Sequence, residues 1–158
     1  MLLALEAVVL CAIFTLIVLP PQLKNPLTQI MSYPPVIRRR VEALPQYKDV
    51  IGQAKRKNVA LKIVGSLVLV VLLAAVAYVS GAKTILAAFV HVFVLFFAVN
   101  MYDLIVLDIL FFCHSKRVVI AGTEDMVEEY KDWRFHVKGA AKGVLIGFGV
   151  ALLSAGLV

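Results

Sequence analysis

The chain has 158 residues, of which 62% are hydrophobic and 16% charged, and its mean hydropathy is +0.95. Soluble domains average about 45–50% apolar residues, so a soluble domain is excluded and one polytopic membrane bundle is indicated. The formal net charge of +6 would suggest nucleic acid in a soluble protein. Here the basic residues flank apolar runs, so they are expected to orient the chain in a bilayer, with no nucleic-acid partner.

Residues 1–19 form the first apolar run, interrupted by Glu6. It has the length of a signal peptide but no Lys or Arg at its start, and Pro20-Pro21 stands where small residues would mark cleavage. It reads as a retained membrane helix, stopped by the two prolines, which lack an amide hydrogen. The loop at 20–61 follows. It contains all six prolines, between Pro20 and Pro45, and is therefore expected to be extended and turned rather than one helix. It is strongly basic: Lys24, Arg38, Arg39, Arg40, Lys48, Lys55, Arg56 and Lys57 stand against Glu42 and Asp49. From about Gln46 the sequence can be helical and run into the second span, 62–80.

Gly81-Ala82-Lys83 is a tight connection, so spans two and three are antiparallel neighbours. The third span, 84–113, is long enough to cross and project beyond a bilayer. It carries His91, Asn100, Asp103 and Asp108 within an apolar run, and ionisable groups in hydrocarbon face a partner or a cavity. The loop at 114–136, counted to Lys138, holds five acidic and five basic residues, with Tyr130 and Trp133 at positions suited to interfacial aromatics. Within it, Gly122-Thr123-Glu124-Asp125 resembles a turn capped by Thr123, with Glu124, Asp125, Glu128 and Glu129 at the positive end of a helix. That helix would carry Tyr130, Trp133, Arg134 and His136 towards the fourth span, 137–158. Lys83 is the only Lys or Arg away from the two large loops. The positive-inside bias then makes both loops cytosolic and both termini external. Cys11 and Cys113 lack metal spacing and, on the cytosolic side, are expected to be free.

Three constellations stand out. Gly139, Gly143 and Gly147, continued by Ala151 and Ala155, recur every four residues and suit close helix approach, inside the protomer or in a small homo-oligomer. Glu6 and His91 lie at matched depths, roughly 8–11 Å below the outer ends of their spans, so a carboxylate–imidazole pair or two independent groups are both open readings. Deeper in span three, Asn100 and Asp103 share a helix face, and His114 joins them if the helix stays straight. Asp108 points about 140° away from Asp103 at about 100° per residue. Asp103, Asp108, His114, Glu124 and His136 are suitable types for an ion site or for acid–base work. The plain alternative is a clamp in which Asp103 or Asp108 pairs with Arg134 or Lys138. A short echo, Y-K-D-x5-K at Tyr47 and at Tyr130, precedes spans two and four; it is the weak internal symmetry that chance also produces.

Asn100, Asp103 and Asp108, then Gly122-Thr123-Glu124, then Phe135-His136 before a glycine-rich last helix resemble a family of small bacterial four-span membrane proteins. The resemblance covers roughly the C-terminal third. It implies a bacterial plasma membrane and brings no catalytic residue with it. Small multidrug transporters share an acidic residue in span one but lack long loops. Four-helix haem carriers need histidines facing across helices, whereas His91 and His114 are both on span three.

The sequence therefore predicts an all-α, four-helix transmembrane bundle, N-out and C-out, with two cytosolic loops. It would handle a small solute or protons through polar groups on span three. A membrane-embedded enzyme at the cytosolic face and an accessory subunit are the alternatives. Beyond the bilayer, the expected partner is anionic lipid at Arg38, Arg39, Arg40, Lys55, Arg56 and Lys57. No cofactor or metal is specified by the motifs.

Overall fold

The computed structural model describes residues 2–158, except for the side chains of residues 50, 54–60 and 62; the headgroup contacts expected of Lys55, Arg56 and Lys57 fall outside this description. The described residues form helices, turns and loops, with no strand among them. Four long helices pack together: α1 (Leu2–Lys24), α3 (Lys48–Val79), α4 (Ile85–Tyr102) and α6 (Trp133–Ala155). Two shorter helices, α2 (Pro35–Ala43) and α5 (Val127–Tyr130), lie in the loops. Three helical stretches are long and apolar enough to cross a membrane: Leu2–Lys24, Ile85–His114 and Val127–Ala155. Ile63–Val79, within the 32-residue α3, is a shorter apolar stretch.

The central helix is α4, which touches α1, α3 and α6. Its closest partner is α6, and the small-residue stripe explains why. Ala151 and Ala155 are buried, while a Cβ on Gly143 would run into the Asn100 side chain and one on Gly147 into the Phe96 ring. The stripe therefore packs inside the protomer, where small residues let two backbones approach. Phe148 adds an edge-on contact to Phe89 at 5.3 Å. Ser154 Oγ donates to Val70 O at 3.0 Å, tying α6 to α3. On the far side, Thr15 and Tyr102 hydroxyls meet at 2.8 Å, tying α1 to α4. All four helices expose apolar side chains, with Leu16, Leu67, Leu86 and Leu145 among them.

The prolines do not act as the sequence suggested. Pro20 and Pro21 lie inside α1, which continues to Lys24. Proline already holds a helical φ, and its cost is the lost amide hydrogen bond and the crowding of the carbonyl four residues back; Gln29 Nε2 supports the same turn by donating to Val18 O at 2.7 Å. The expected extended loop is instead a series of short helices, a 3-10 helix at Pro26–Ser32, then α2, then a 3-10 turn at Pro45–Tyr47. Each begins on a proline, at the position where a missing N–H costs nothing.

These short elements and the second loop form a separate small core. Ile30, Tyr33, Ile37, Val41, Phe112 and Tyr130 are buried in it. Tyr33 donates to Val118 O at 2.9 Å and stands edge-on to Phe112 at 4.9 Å; burial pushes its phenol well above the ordinary range, so the donor keeps its proton. Tyr130 belongs to this core rather than to an interface, since its hydroxyl accepts from Ile120 N at 3.0 Å. Thr123 does not cap a helix. It is fully buried, closes the turn by donating to Ile120 O at 2.7 Å, and meets the Tyr130 hydroxyl. Gly122 turns the chain at φ +88°, a conformation that favours glycine. The expected continuous helix into α6 is broken at Lys131, and Asp132 caps α6 by accepting from Arg134 N at 3.2 Å. The two Y-K-D copies are thus used differently: Asp132 caps α6, whereas α3 begins without a side-chain cap.

Candidate functional site

At Asp103 the central helix changes its winding. Residues Asp103–Phe111 form a π-helix, followed by a 3-10 turn at Phe112–His114. A π-helix joins residues five apart, and single π turns recur at functional sites. This corrects the expected divergence of Asp103 and Asp108: five residues apart in a π-helix, they come to the same side and line one cavity. The angular separation drawn for an α-helix does not hold there.

That cavity, of about 410 Å³, lies between α1, the segment at 26–32, the π-helix and the start of α6. Asn100, Asp103, Asp108 and His136 line it, with Gln22, Gln29 and Ser32 opposite. Asn100 is fixed by donating from Nδ2 to Ala140 O at 3.0 Å. His136 Nδ1 meets Asp108 Oδ1 at 3.1 Å, and only 3% of the imidazole side chain is exposed. Phe112 holds the ring edge-on at 5.0 Å, while Nε2 is buried with no hydrogen-bond partner among the described residues. Asp103 differs from its neighbours. No hydrogen bond or ion pair to it occurs among the described residues, and the charged groups nearest it electrostatically are Asp108 and His136. Gly139 also lines the cavity and has open space where a Cβ would be.

The clamp expected from Arg134 or Lys138 is not the arrangement found. Asp108 pairs with His136, while Arg134 lies over the Trp133 ring at 5.8 Å. His114 does not join the cluster: the altered winding turns it outwards, and its Nδ1 bonds to Ile109 O at 2.9 Å. Glu124 is likewise elsewhere, accepting from Gly122 N at 2.8 Å. Among the described residues no group of three His, Cys, Asp or Glu side chains is placed to hold a metal ion. Both cysteines are free, Cys113 being buried in the loop core.

At the other end of the bundle Glu6 and His91 are brought together. Glu6 Oε2 meets His91 Nε2 at 2.8 Å, with 15% and 14% of their side chains exposed. Ser80 completes the contact by donating from Oγ to Glu6 Oε1. The carboxylate thus binds α1 to α4 and to the end of α3, and neither Glu6 nor His91 lines the cavity. Sequence reasoning missed Ser80, Gln22, Gln29 and Ser32 because it weighed ionisable groups first. Gln22 carried a signal: it is the first polar residue after a long apolar run.

Of the basic loop, Arg40 is tied to the second loop, with Nη2 3.8 Å from Asp125 Oδ2, while Arg39 is exposed. No protein-family model matches the chain, and neither does any curated protein or solved structure.

Proposed function

We propose that the protein is a four-span membrane protein that takes a small solute or a proton from the cytosolic side into the cavity at Asp103. The observation that carries this reading is a cavity with polar walls in an apolar bundle, holding a carboxylate that no group satisfies among the described residues. Ionisable groups at membrane depth mark functional positions by default, because they are retained against a cost of about 3 kcal/mol or more. Asp108, Asn100 and His136 already hold protein partners. Asp103 is the group left to take its counterpart from the cavity.

The topology behind this reading counts α3 as a span. Ile63–Val79 is 17 residues long, at the short end of the spanning range, and Leu67, Val68, Val71 and Leu72 on it are exposed, which lipid would cover. The large basic loop then faces the cytosol and both chain ends lie outside; the resemblance to small bacterial four-span proteins makes the membrane a bacterial plasma membrane. The polar cavity opens among residues of the loop end, so access is from the cytosol. A second reading, acid–base catalysis at that face, is favoured by the Asp108–His136 pair beside the same cavity.

A hydrophobic carbodiimide, which attacks protonated carboxyl groups, tests the proposal in reconstituted protein. Peptide mass analysis should find the adduct on Asp103, forming faster at lower pH. Labelling confined to Glu6 or Asp108, or labelling of Asp103 independent of pH, would contradict the reading.

A further inference from the structure

The polar cavity continues into a second one. An apolar cavity of about 320 Å³ lies between α1, α3 and α4, and Phe14, Asn100 and Asp103 line both. Its remaining walls, among them Leu10, Ile13, Ile17, Leu73, Leu95 and Val99, are wholly apolar. Ile13 and Ile17 are 47% and 65% exposed, so the groove reaches the outward apolar surface of α1. The two spaces meet at one carboxylate and one amide. Most of the polar side chains line the cavity at the loop end, which Met31, Phe112 and Phe135 also line, and apolar walls extend along the helices away from it.

We infer that the joined cavities hold one amphiphile: a long alkyl or acyl chain in the groove and an uncharged hydroxyl-bearing or ammonium head at Asp103. The inference rests on the solute-binding reading above and names the class of solute. Apolar and polar walls in one continuous site match a ligand with the same division, and pockets of several hundred Å³ suit such molecules. The charge of the lining selects the head. Asp103 and Asp108 line the polar part, and no Lys or Arg does among the described residues. An ionised carboxylate accepts hydrogen bonds and offers none, so a head that meets Asp103 in that state donates O–H or N–H. A phosphate or sulfate head at Asp103 would face two carboxylates, with the His136 imidazole of the lining already paired with Asp108, and like charges in a site of low dielectric repel strongly. The amphiphile would lie parallel to the surrounding lipid, head at the loop end and chain towards the membrane centre.

The test uses the full chain in phosphatidylcholine nanodiscs, with binding read by native mass spectrometry. Three probes of one chain length are compared: monododecanoylglycerol, dodecylammonium and dodecyl phosphate. A short-chain monobutanoylglycerol isolates the head. The first two long-chain probes should bind saturably and dodecyl phosphate should not. Ile13→Trp, which fills the groove from an exposed position, should weaken the long-chain probes about tenfold or more, roughly the weight of one or two buried methylenes. Leu16→Trp, on the same helix but outside the groove, should not; Ile17→Trp serves where Ile13→Trp fails to elute as a single species. Equal binding of all three heads, or full binding by the groove-filled variants, would overturn the inference. Binding of monobutanoylglycerol that depends on Asp103 while chain length adds nothing would end the amphiphile and leave the solute site standing. Binding of every probe unchanged by Asp103→Asn would end both.

Discussion

Two aspartates five residues apart on one helix have opposite expected responses to the same substitution. Asp108→Asn removes the charge opposite a buried imidazole at 3.1 Å and leaves a neutral acceptor where a charge-assisted hydrogen bond, worth about 2 kcal/mol, had been. The melting temperature of the detergent-solubilised protein should fall. Asp103→Asn removes a charge with no protein hydrogen bond among the described residues, so the melting temperature should hold or rise. A loss of stability from Asp103→Asn that Arg134→Met or Lys138→Met restores would instead identify a clamp. At this scale, depth was legible in the sequence and direction was not. Counting residues from the span ends brought Glu6 and His91 to one level, and the structure sets them 2.8 Å apart. Asp108 and His114 were placed by α-helical angles, which fail from Asp103 onwards because the winding changes there.

Among the elements, α6 carries the sharpest contrast. Gly143→Ala would drive a Cβ into Asn100, whose amide also holds Ala140 O. Gly139→Ala would meet open space in the cavity. Overpacking at a close helix contact costs about 1–3 kcal/mol, so Gly143→Ala should lower the melting temperature and Gly139→Ala should leave it unchanged. Equal melting of the two variants would mean that α6 does not pack on α4 through this stripe. The stripe itself was legible because its four-residue spacing is a property of sequence alone. The prolines were misread for the opposite reason. Whether a proline ends a helix or begins one depends on what the following turn packs against: the helices begun by Pro26 and Pro35 bury Ile30, Ile37 and Val41 in the loop core, while the turn begun by Pro45 buries none of its own residues.

Over the whole molecule, the apolar runs and the all-helical class were legible from composition, whereas the packing of the loops was not. A loop core depends on contacts between residues as distant as Tyr33 and Val118, which no local pattern encodes. That core also divides the basic cluster. Arg39 is exposed and Arg40 is engaged with Asp125 and Gly122. Arg39→Gln should therefore reduce the thermal stabilisation given by added phosphatidylglycerol, by about 1 kcal/mol per basic group near an anionic surface, without lowering basal stability; stabilisation equal to wild type would remove Arg39 from the lipid contact. The same architecture leaves the Asp103 carboxylate without a partner among the described residues, and the account turns on that group. Infrared difference spectra between acid and alkaline states of the reconstituted protein measure it directly. The account predicts a carboxyl C=O band, sensitive to deuterium exchange, that disappears in Asp103→Asn and persists in Glu6→Gln. A band unchanged by Asp103→Asn would contradict it.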